Sequence, residues 1–452
     1  MFEFGRELRR LFGGERAHPG KDGLTGGDAA LLELLDLDML RAEAKSADVA
    51  AGRISARDRP RRMLEAAIVW RELARRTGDA VALRGAAARA ERAAASFLQT
   101  HRQQGWARAR LEQAQCALLG ADLFGDEGLE AAAERAATEA RRAAGPAGLM
   151  AQAMLAAIAA RRLTTGGDLA GVRLAARAFN DPIASLESAG RRDCALKLAA
   201  AEARMARADL LVGAGLRLKD EALVRAAIGD LSVAVERLNG AYEPLAQGRA
   251  MLAQASAKAA LAELAGDIAG LAVAVGDVAA AVDRSPRDHS PLDWARGHAA
   301  LAQGLSQLGE ATESDAAFGK ALAAYDRAIS VLKATPELKL RAQAAAGRGL
   351  ALARSAELSG DVAGLNAAEA AFKAELAAGP HRKDPTAWAM LQVQLGQIYV
   401  ARLTLTGRDR GERAAAALAF SAALDVFAEA GLRSFAAIAA DALERLRAAR
   451  VG

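Results

Sequence analysis

The sequence predicts an all-α fold made of repeated helical hairpins. Three observations point to it. Hydrophobic residues make up 52% of the 452-residue chain, and Ala carries most of that fraction; Ala is the strongest helix former. Val, Ile and Thr are sparse, and no run shows the two-residue period of a strand. A short turn signal, Gly usually followed by Asp, recurs between the helical runs. An α/β enzyme of this length would carry Val/Ile-rich segments between its helices, and none is found.

The turn signals are Gly78-Asp79, Gly125-Asp126, Gly167-Asp168, Lys219-Asp220, Gly266-Asp267, Gly309-Glu310, Gly360-Asp361 and Gly407-Arg408-Asp409. The seven intervals between Gly78 and Gly407 average about 47 residues. Gly supplies the left-handed residue that ends one helix, and Asp caps the next. Each unit therefore reads as helix, tight turn, helix.

The starts of the units share a pattern. Residues 291–304 read PLDWARGHAALAQG and residues 385–399 read PTAWAMLQVQLGQIY, with Trp294-Ala295 and Trp388-Ala389 in the same place. Pro suits the first turn, where its missing N–H is not needed. Residues 336–350 keep the Pro and place Lys339 at the Trp position, and Trp106-Ala107 opens another unit. The second helices match as well: Ala321, Tyr325 and Ala328 in one, Ala416, Phe420 and Ala423 in another. Small residues there let paired helices approach closely while the aromatic fills the space beside them. Trp106, Trp294 and Trp388 read as core.

At these residues the chain resembles the tetratricopeptide repeat (TPR) family. Leu395-Gly396 with Tyr399 resembles the family's first-helix segment, and Ala416, Phe420 and Ala423 resemble its second-helix segment, with the best matches in 288–430. The period here is longer than the family's usual 34 residues or so. The resemblance implies a right-handed superhelical solenoid of about eight antiparallel helical hairpins with terminal capping helices. It also implies a concave surface lined by the first helices, where a segment of a partner protein lies. Aligning Leu301, Ala346 and Leu395 by the family register places Arg296, Gln303, Gln307, Arg341, Arg348, Met390 and Gln397 on that surface. Its arginines suit an acidic or C-terminal carboxylate-bearing segment through charge-assisted bonds, or they simply solvate the face.

Residues 1–12, MFEFGRELRRLF, put Phe4, Leu8, Leu11 and Phe12 on one helical face and Arg6, Arg9 and Arg10 on others. This amphipathic segment suits a partner, an anionic membrane surface or the chain's own solenoid. Residues 13–27 read as a flexible Gly-rich linker, 28–57 as an N-terminal capping helix, 58–430 as the hairpin array and 431–452 as a C-terminal capping helix.

The formal net charge is +5, and it is concentrated. Between residues 53 and 110 there are fourteen Arg and five acids, a balance of +9. Arg57, Arg61, Arg62, Arg71 and Arg75 read either as solvated helix faces or as a basic docking patch. Aromatics that would stack bases are nearly absent from this stretch, apart from Trp70, Phe97 and Trp106, so nucleic acid is disfavoured.

No catalytic motif is present. His18, His101, His289, His298 and His381 form no metal-ligand pattern, so no metal or cofactor is expected. Gly347 and Gly349 lie in a helical context rather than after a strand, which fails the test for a phosphate loop; they read as positions of close helix packing. Cys116 and Cys194 read as buried small side chains. No secretory signal and no membrane-spanning run are seen. The expectation is a non-enzymatic bacterial protein, cytoplasmic, that acts as a protein–protein interaction scaffold or adaptor. The alternative is a regulatory module peripheral to the inner membrane through residues 1–12. Exposed Ala-rich faces leave self-association open.

Overall fold

A computed structural model describes residues 31–53, 58–164, 168–190, 193–335, 338–377 and 385–448. Phe4, Leu8, Leu11, Phe12 and Arg57 lie outside them. Every regular element among the described residues is a helix. A 3-10 turn, Leu31–Leu34, precedes α1 (Leu37–Arg53). The hairpins follow as α2 (Arg59–Thr77) with α3 (Ala80–Gln99), α4 (Gln103–Phe124) with α5 (Glu127–Ala140), and α6 (Pro146–Thr164) with α7 (Leu169–Arg177) and α8 (Asn180–Ala189). Next come α9 (Cys194–Leu218) with α10 (Glu221–Arg237), and α11 (Pro244–Ala265) with α12 (Ile268–Val282). The last three are α13 (Pro291–Thr312) with α14 (Asp315–Leu332), α15 (Leu338–Ser359) with α16 (Val362–Ala377), and α17 (Pro385–Thr406) with α18 (Glu412–Glu429). The final helix α19 (Arg433–Ala448) packs on α18. The helices form two compact units, residues 1–300 with 331–339, and residues 301–330 with 340–452.

Local chemistry ends the helices where the turn signals stand. Gly78 takes φ 73° after α2, and the Asp79 carboxylate accepts from the backbone of Val81 and Ala82. Asp126, Asp168, Asp220 and Asp267 cap α5, α7, α10 and α12 in the same way. One turn lies elsewhere than expected. Gly309 sits inside α13, where a Cβ would come within 3.1 Å of the Phe318 ring. The left-handed residue is Glu313, φ 49°, and Ser314 Oγ accepts from the Ala317 N–H at 3.3 Å. With that correction the left-handed positions Lys219, Gly266, Glu313, Gly360 and Gly407 are spaced by 47 residues, and Gly78 to Gly125 is also 47.

Packing repeats with the same spacing. Ala90, Ala137, Leu231, Val278, Tyr325 and Phe372 are separated by 47 or 94 residues, and each is buried. In the second unit aromatic side chains of the second helices close on glycines. A Cβ on Gly349 would lie 2.9 Å from Phe372, one on Gly396 would lie 2.6 Å from Phe420, and Tyr325 closes on Gly347. The glycines serve helix packing, as read from sequence. Trp106, Trp294 and Trp388 are half-buried; Trp106 and Trp388 pack against core clusters.

Three local features differ from the sequence reading. The segment expected as one capping helix is divided at Leu35-Asp36, because Asp36 caps α1 through Met39 N and the carbonyls of Leu32 and Leu35 are taken by Arg76. The third hairpin's second arm is two helices. Pro182 lacks an N–H and its ring would strike the carbonyl four residues back, so the helix restarts around buried Phe179. Cys116 is buried, but Cys194 is exposed: it is the first residue of α9, just past the Asp193 cap and ahead of the buried face.

Candidate binding site

The first unit contains a buried charge cluster that the repeat pattern alone does not anticipate. It begins on α2, where Arg71, Glu72, Arg75 and Arg76 occupy successive turns. Glu72 holds two guanidiniums: Arg75 donates through Nε and Nη2 at 2.9 and 2.8 Å, and Arg76 through Nε at 2.7 Å. Arg76 is fully buried, and its Nη1 and Nη2 donate to the carbonyls of Leu35 and Leu32. Arg71 donates to Glu112 of α4 at 2.6 Å.

Arg75 extends the cluster to the first turn of α13, donating through Nη1 to Asp293 Oδ2 at 2.8 Å. Ser290 Oγ donates to the same oxygen at 2.7 Å. Arg249 of α11 lies 3.6 Å from Oδ2, and Arg296 Nη1 lies 3.6 Å from Oδ1. Glu33 closes the circuit: its Oε2 accepts from the N–H groups of Leu245 and Ala246 at 2.9 Å each, capping α11, and its Oε1 stands 3.8 Å from Arg249. The Leu37 N–H also donates to the Asp288 carbonyl at 3.2 Å. Within this unit, then, the first helices meet helices more than 200 residues later, whereas a simple repeat array has contacts between neighbours only.

Burial alone would push the carboxyls of Asp293 and Glu72 up. The guanidiniums of Arg75, Arg249 and Arg296 outweigh it at Asp293, and those of Arg75 and Arg76 at Glu72, holding both well below the usual carboxylate range. At Glu33 burial wins over Arg249, and its carboxyl is raised. Burial also raises the Cys116 thiol, beside Glu112.

Beside this cluster is a cavity of about 270 Å³. Its lining includes the charged residues Arg249, Asp293 and Arg296 and the apolar residues Leu252, Ala253 and Val282. Asp293 is 4% exposed, and its Oδ1 has no hydrogen-bond donor among the described residues; the same holds for an acceptor at Arg249 Nη1. Arg249 and Arg296 are 47 residues apart and stand five residues into α11 and α13, so they occupy one repeat position. That spacing was a signal for Arg249 in the sequence. Nothing in the sequence singled out Glu33 or Asp293 as its partners.

The basic stretch is compensated rather than open. Arg71 and Arg75 are turned into ion pairs with Glu112, Glu72 and Asp293, so they do not belong to a free basic surface. Arg61 and Arg62 both pair with Glu65, and Arg89 grips Asp48 at 2.6 Å. A shallower groove on α3 to α5 mixes Arg84, Arg110 and Arg135 with Glu91 and Glu139.

In the second unit Gln303 and Gln397 are exposed, Gln307 and Arg341 half-buried, and Met390 packs against the core cluster that contains Phe420. Arg348 donates to Asp326 at 2.6 Å. The register of α15 differs from the family alignment. Helices α13, α15 and α17 begin at residues 291, 338 and 385, and Gly349 matches Gly396 in its aromatic neighbour. Arg348 therefore corresponds to Leu301 and Leu395, and the equivalents of Gln303 and Gln397 is Leu350, not Arg348. A two-residue offset turns a side chain about 200° round the helix, which takes Arg341 and Arg348 off the row. Leu350 is itself exposed.

No family model matches the chain, and no curated protein matches it. Similar solved structures include a crystal structure of a Rap protein complexed with competence and sporulation factor, at TM-score 0.45 and 10% identity over 86% of this chain and 98% of that one. Another is a circular tandem repeat protein with novel repeat topology and enhanced subunit contact surfaces, at TM-score 0.25 and 15% identity over 93% of this chain and 96% of that one. No described helix is long and apolar enough to cross a membrane.

Proposed function

We propose that the chain is a non-enzymatic repeat adaptor that holds a segment of a partner protein along the first helices of the hairpins in its second unit. One observation carries this reading: Gln303, Leu350 and Gln397 stand at a single repeat position on α13, α15 and α17, and all three are exposed. A row recurring at helical-repeat spacing suits a partner that runs across successive helices. Charge near the row is largely compensated. Arg348 pairs with Asp326, Arg354 with Glu310 and Glu357, and Arg402 with Glu369. The row therefore favours an amphipathic or polar uncharged segment over a strongly acidic one.

Photo-crosslinking tests this. A benzophenone amino acid placed at residue 303, 350 or 397 is expected to trap the same protein from a cell extract. The probe at Lys320 on α14, an exposed second-helix position, is expected not to. Equal labelling from both sets of positions would dismiss the row. Gln303→Arg with Leu350→Glu is expected to abolish the adduct formed from residue 397.

A further inference from the structure

We infer that the outer face of α1 is the docking site of the chain's own residues 1–12, which lie outside the described residues, and that this segment covers the first end of the array. The surface is separate from the partner row of the second unit. Helix α1 carries three stripes. Leu40, Ala44, Ala47 and Ala51 are buried, and α1 packs on α2. To one side of them Asp38, Arg41, Lys45 and Asp48 form a charged stripe, in which Asp38 pairs with Arg41 at 2.9 Å and Asp48 with Arg89 at 2.6 Å. To the other side stand Met39, Ala42, Glu43, Ser46, Val49 and Ala50.

This third stripe is largely open to solvent. Met39 is 39% and Val49 50% exposed, and Ala42 and Ser46 are exposed beside them. The end of a helical array needs a polar outer surface or a cover. Between Met39 and Ala50 the stripe carries a single charged residue, Glu43. Glu43 is half-buried, and its Oε1 is out of water with no hydrogen-bond donor among the described residues. Burial raises its carboxyl. A buried acceptor left unmet is costly, so the cover brings a donor to Glu43 as well as apolar contact to Met39 and Val49.

Residues 1–12 supply both. Phe4, Leu8, Leu11 and Phe12 have the spacing of one helical face, and Arg9 falls at its edge, one turn before Phe12. A guanidinium there meets a carboxylate through a charge-assisted bond. A helix this short forms only against a surface. The tether also fits. The eighteen residues 13–30 join the segment to Leu31, six residues ahead of α1. A Gly-rich chain of that length reaches about 23 Å on average, and α1, at 17 residues, is about 25 Å long. The segment therefore reaches the whole stripe at an effective concentration on the order of millimolar, ahead of a second copy at ordinary protein concentrations.

Photo-crosslinking of the purified full chain tests the docking. A benzophenone amino acid at Val49 is expected to join to a peptide from residues 1–12, in a product of monomer mass whose yield does not change on dilution. The same probe at Leu174 on α7, which is 71% exposed, is expected to give roughly fivefold less of that adduct or lower. Leu8→Asp with Leu11→Asp is expected to remove the adduct, and Glu43→Lys to lower it about fivefold, with the helical circular dichroism unchanged. Lys45→Gln, on the charged stripe, is expected to leave it as it is. Vesicles of phosphatidylcholine with phosphatidylglycerol are expected neither to sediment the chain nor to reduce the adduct. Equal adduct from Val49 and Leu174 would mean a segment without a site and overturn the inference. So would a product of dimer mass alone, which gives the stripe to a second copy, or loss of the adduct with sedimentation on the vesicles, which gives the segment to a membrane. The partner row is tested in a cell extract and this docking in the purified chain, so neither result decides the other.

Discussion

Arg75 on the second helix donates to Asp293 on the thirteenth at 2.8 Å, across 218 residues of sequence. Both side chains are nearly out of water, at 14% and 3% exposure. The contact ties the first hairpin of the unit to a helix five hairpins on. Removing one partner leaves a buried charge, which costs about 3–5 kcal/mol. Arg75→Ala is therefore expected to destabilise the first unit by that order, read as a lower urea midpoint. Arg75→Met with Asp293→Leu is expected to recover part of the loss, because Glu72 keeps Arg76 while Arg249 and Arg296 lose the Asp293 carboxylate. A double variant as unstable as the sum of the singles would count against the pairing.

The same carboxylates set a pH dependence. Asp293 and Glu72 titrate in the fold well below their unfolded values of about 4. Their contribution is complete above those unfolded values and is lost as the pH falls toward the folded ones. Glu33 works in the opposite sense: its raised carboxyl favours the fold most at low pH, and that contribution declines as the pH rises through its folded value. The expected outcome is a melting temperature that drops on acidification from pH 5 to pH 3. In Asp293→Asn the drop should be shallower, because one of the two acid-labile carboxylates is gone.

Glycines inside helices divide into two kinds. A Cβ on Gly396 would lie 2.6 Å from the Phe420 ring, whereas one on Gly319 in α14 meets nothing within 4 Å. Gly396→Ala is expected to destabilise by about 1–3 kcal/mol through overpacking. Gly319→Ala is expected to stabilise by about 0.5–1 kcal/mol, the ordinary gain of Ala over Gly in a helix. Thermal melts of the two variants check the sign of each.

Two of the turns carry a side chain where the backbone favours glycine. Lys219 and Glu313 sit at φ 54° and 49°. Replacing either by Gly removes a left-handed strain of about 1–2 kcal/mol, less the entropy cost of glycine. Lys219→Gly and Glu313→Gly are each expected to raise stability by up to about 1 kcal/mol. Asp220→Ala, which strips the cap from α10, is expected to cost about 1 kcal/mol in the same melts.

Much of this architecture was legible because it is local. A left-handed Gly followed by an Asp cap ends and restarts a helix within four residues, so Gly78-Asp79 and Gly266-Asp267 read directly as turns. The Gly309-Glu310 signal misled because glycine serves two ends. There it admits the Phe318 ring, and the chain turns four residues later at Glu313 with no glycine to mark it. The α15 register slipped for a similar reason: small residues at 346, 347 and 349 offer several alignments, and only the aromatic packed on each glycine chooses among them.

Composition and spacing were thus enough for an all-helical repeat with a period of 47 residues, since helix propensity, capping and left-handed turns act between near neighbours in the chain. Which charges meet is of another kind. Arg71 and Arg75 looked like surface cations on an Arg-rich helix, and nothing nearby in sequence says that one faces Glu112 and the other Asp293. That pairing, and the cavity with Arg249, Asp293 and Arg296 on its wall, come from how the hairpins of the first unit stack and bring the first helices back onto α11 and α13. Coulomb attraction has no preferred partner in sequence; stacking supplies the distance that chooses one.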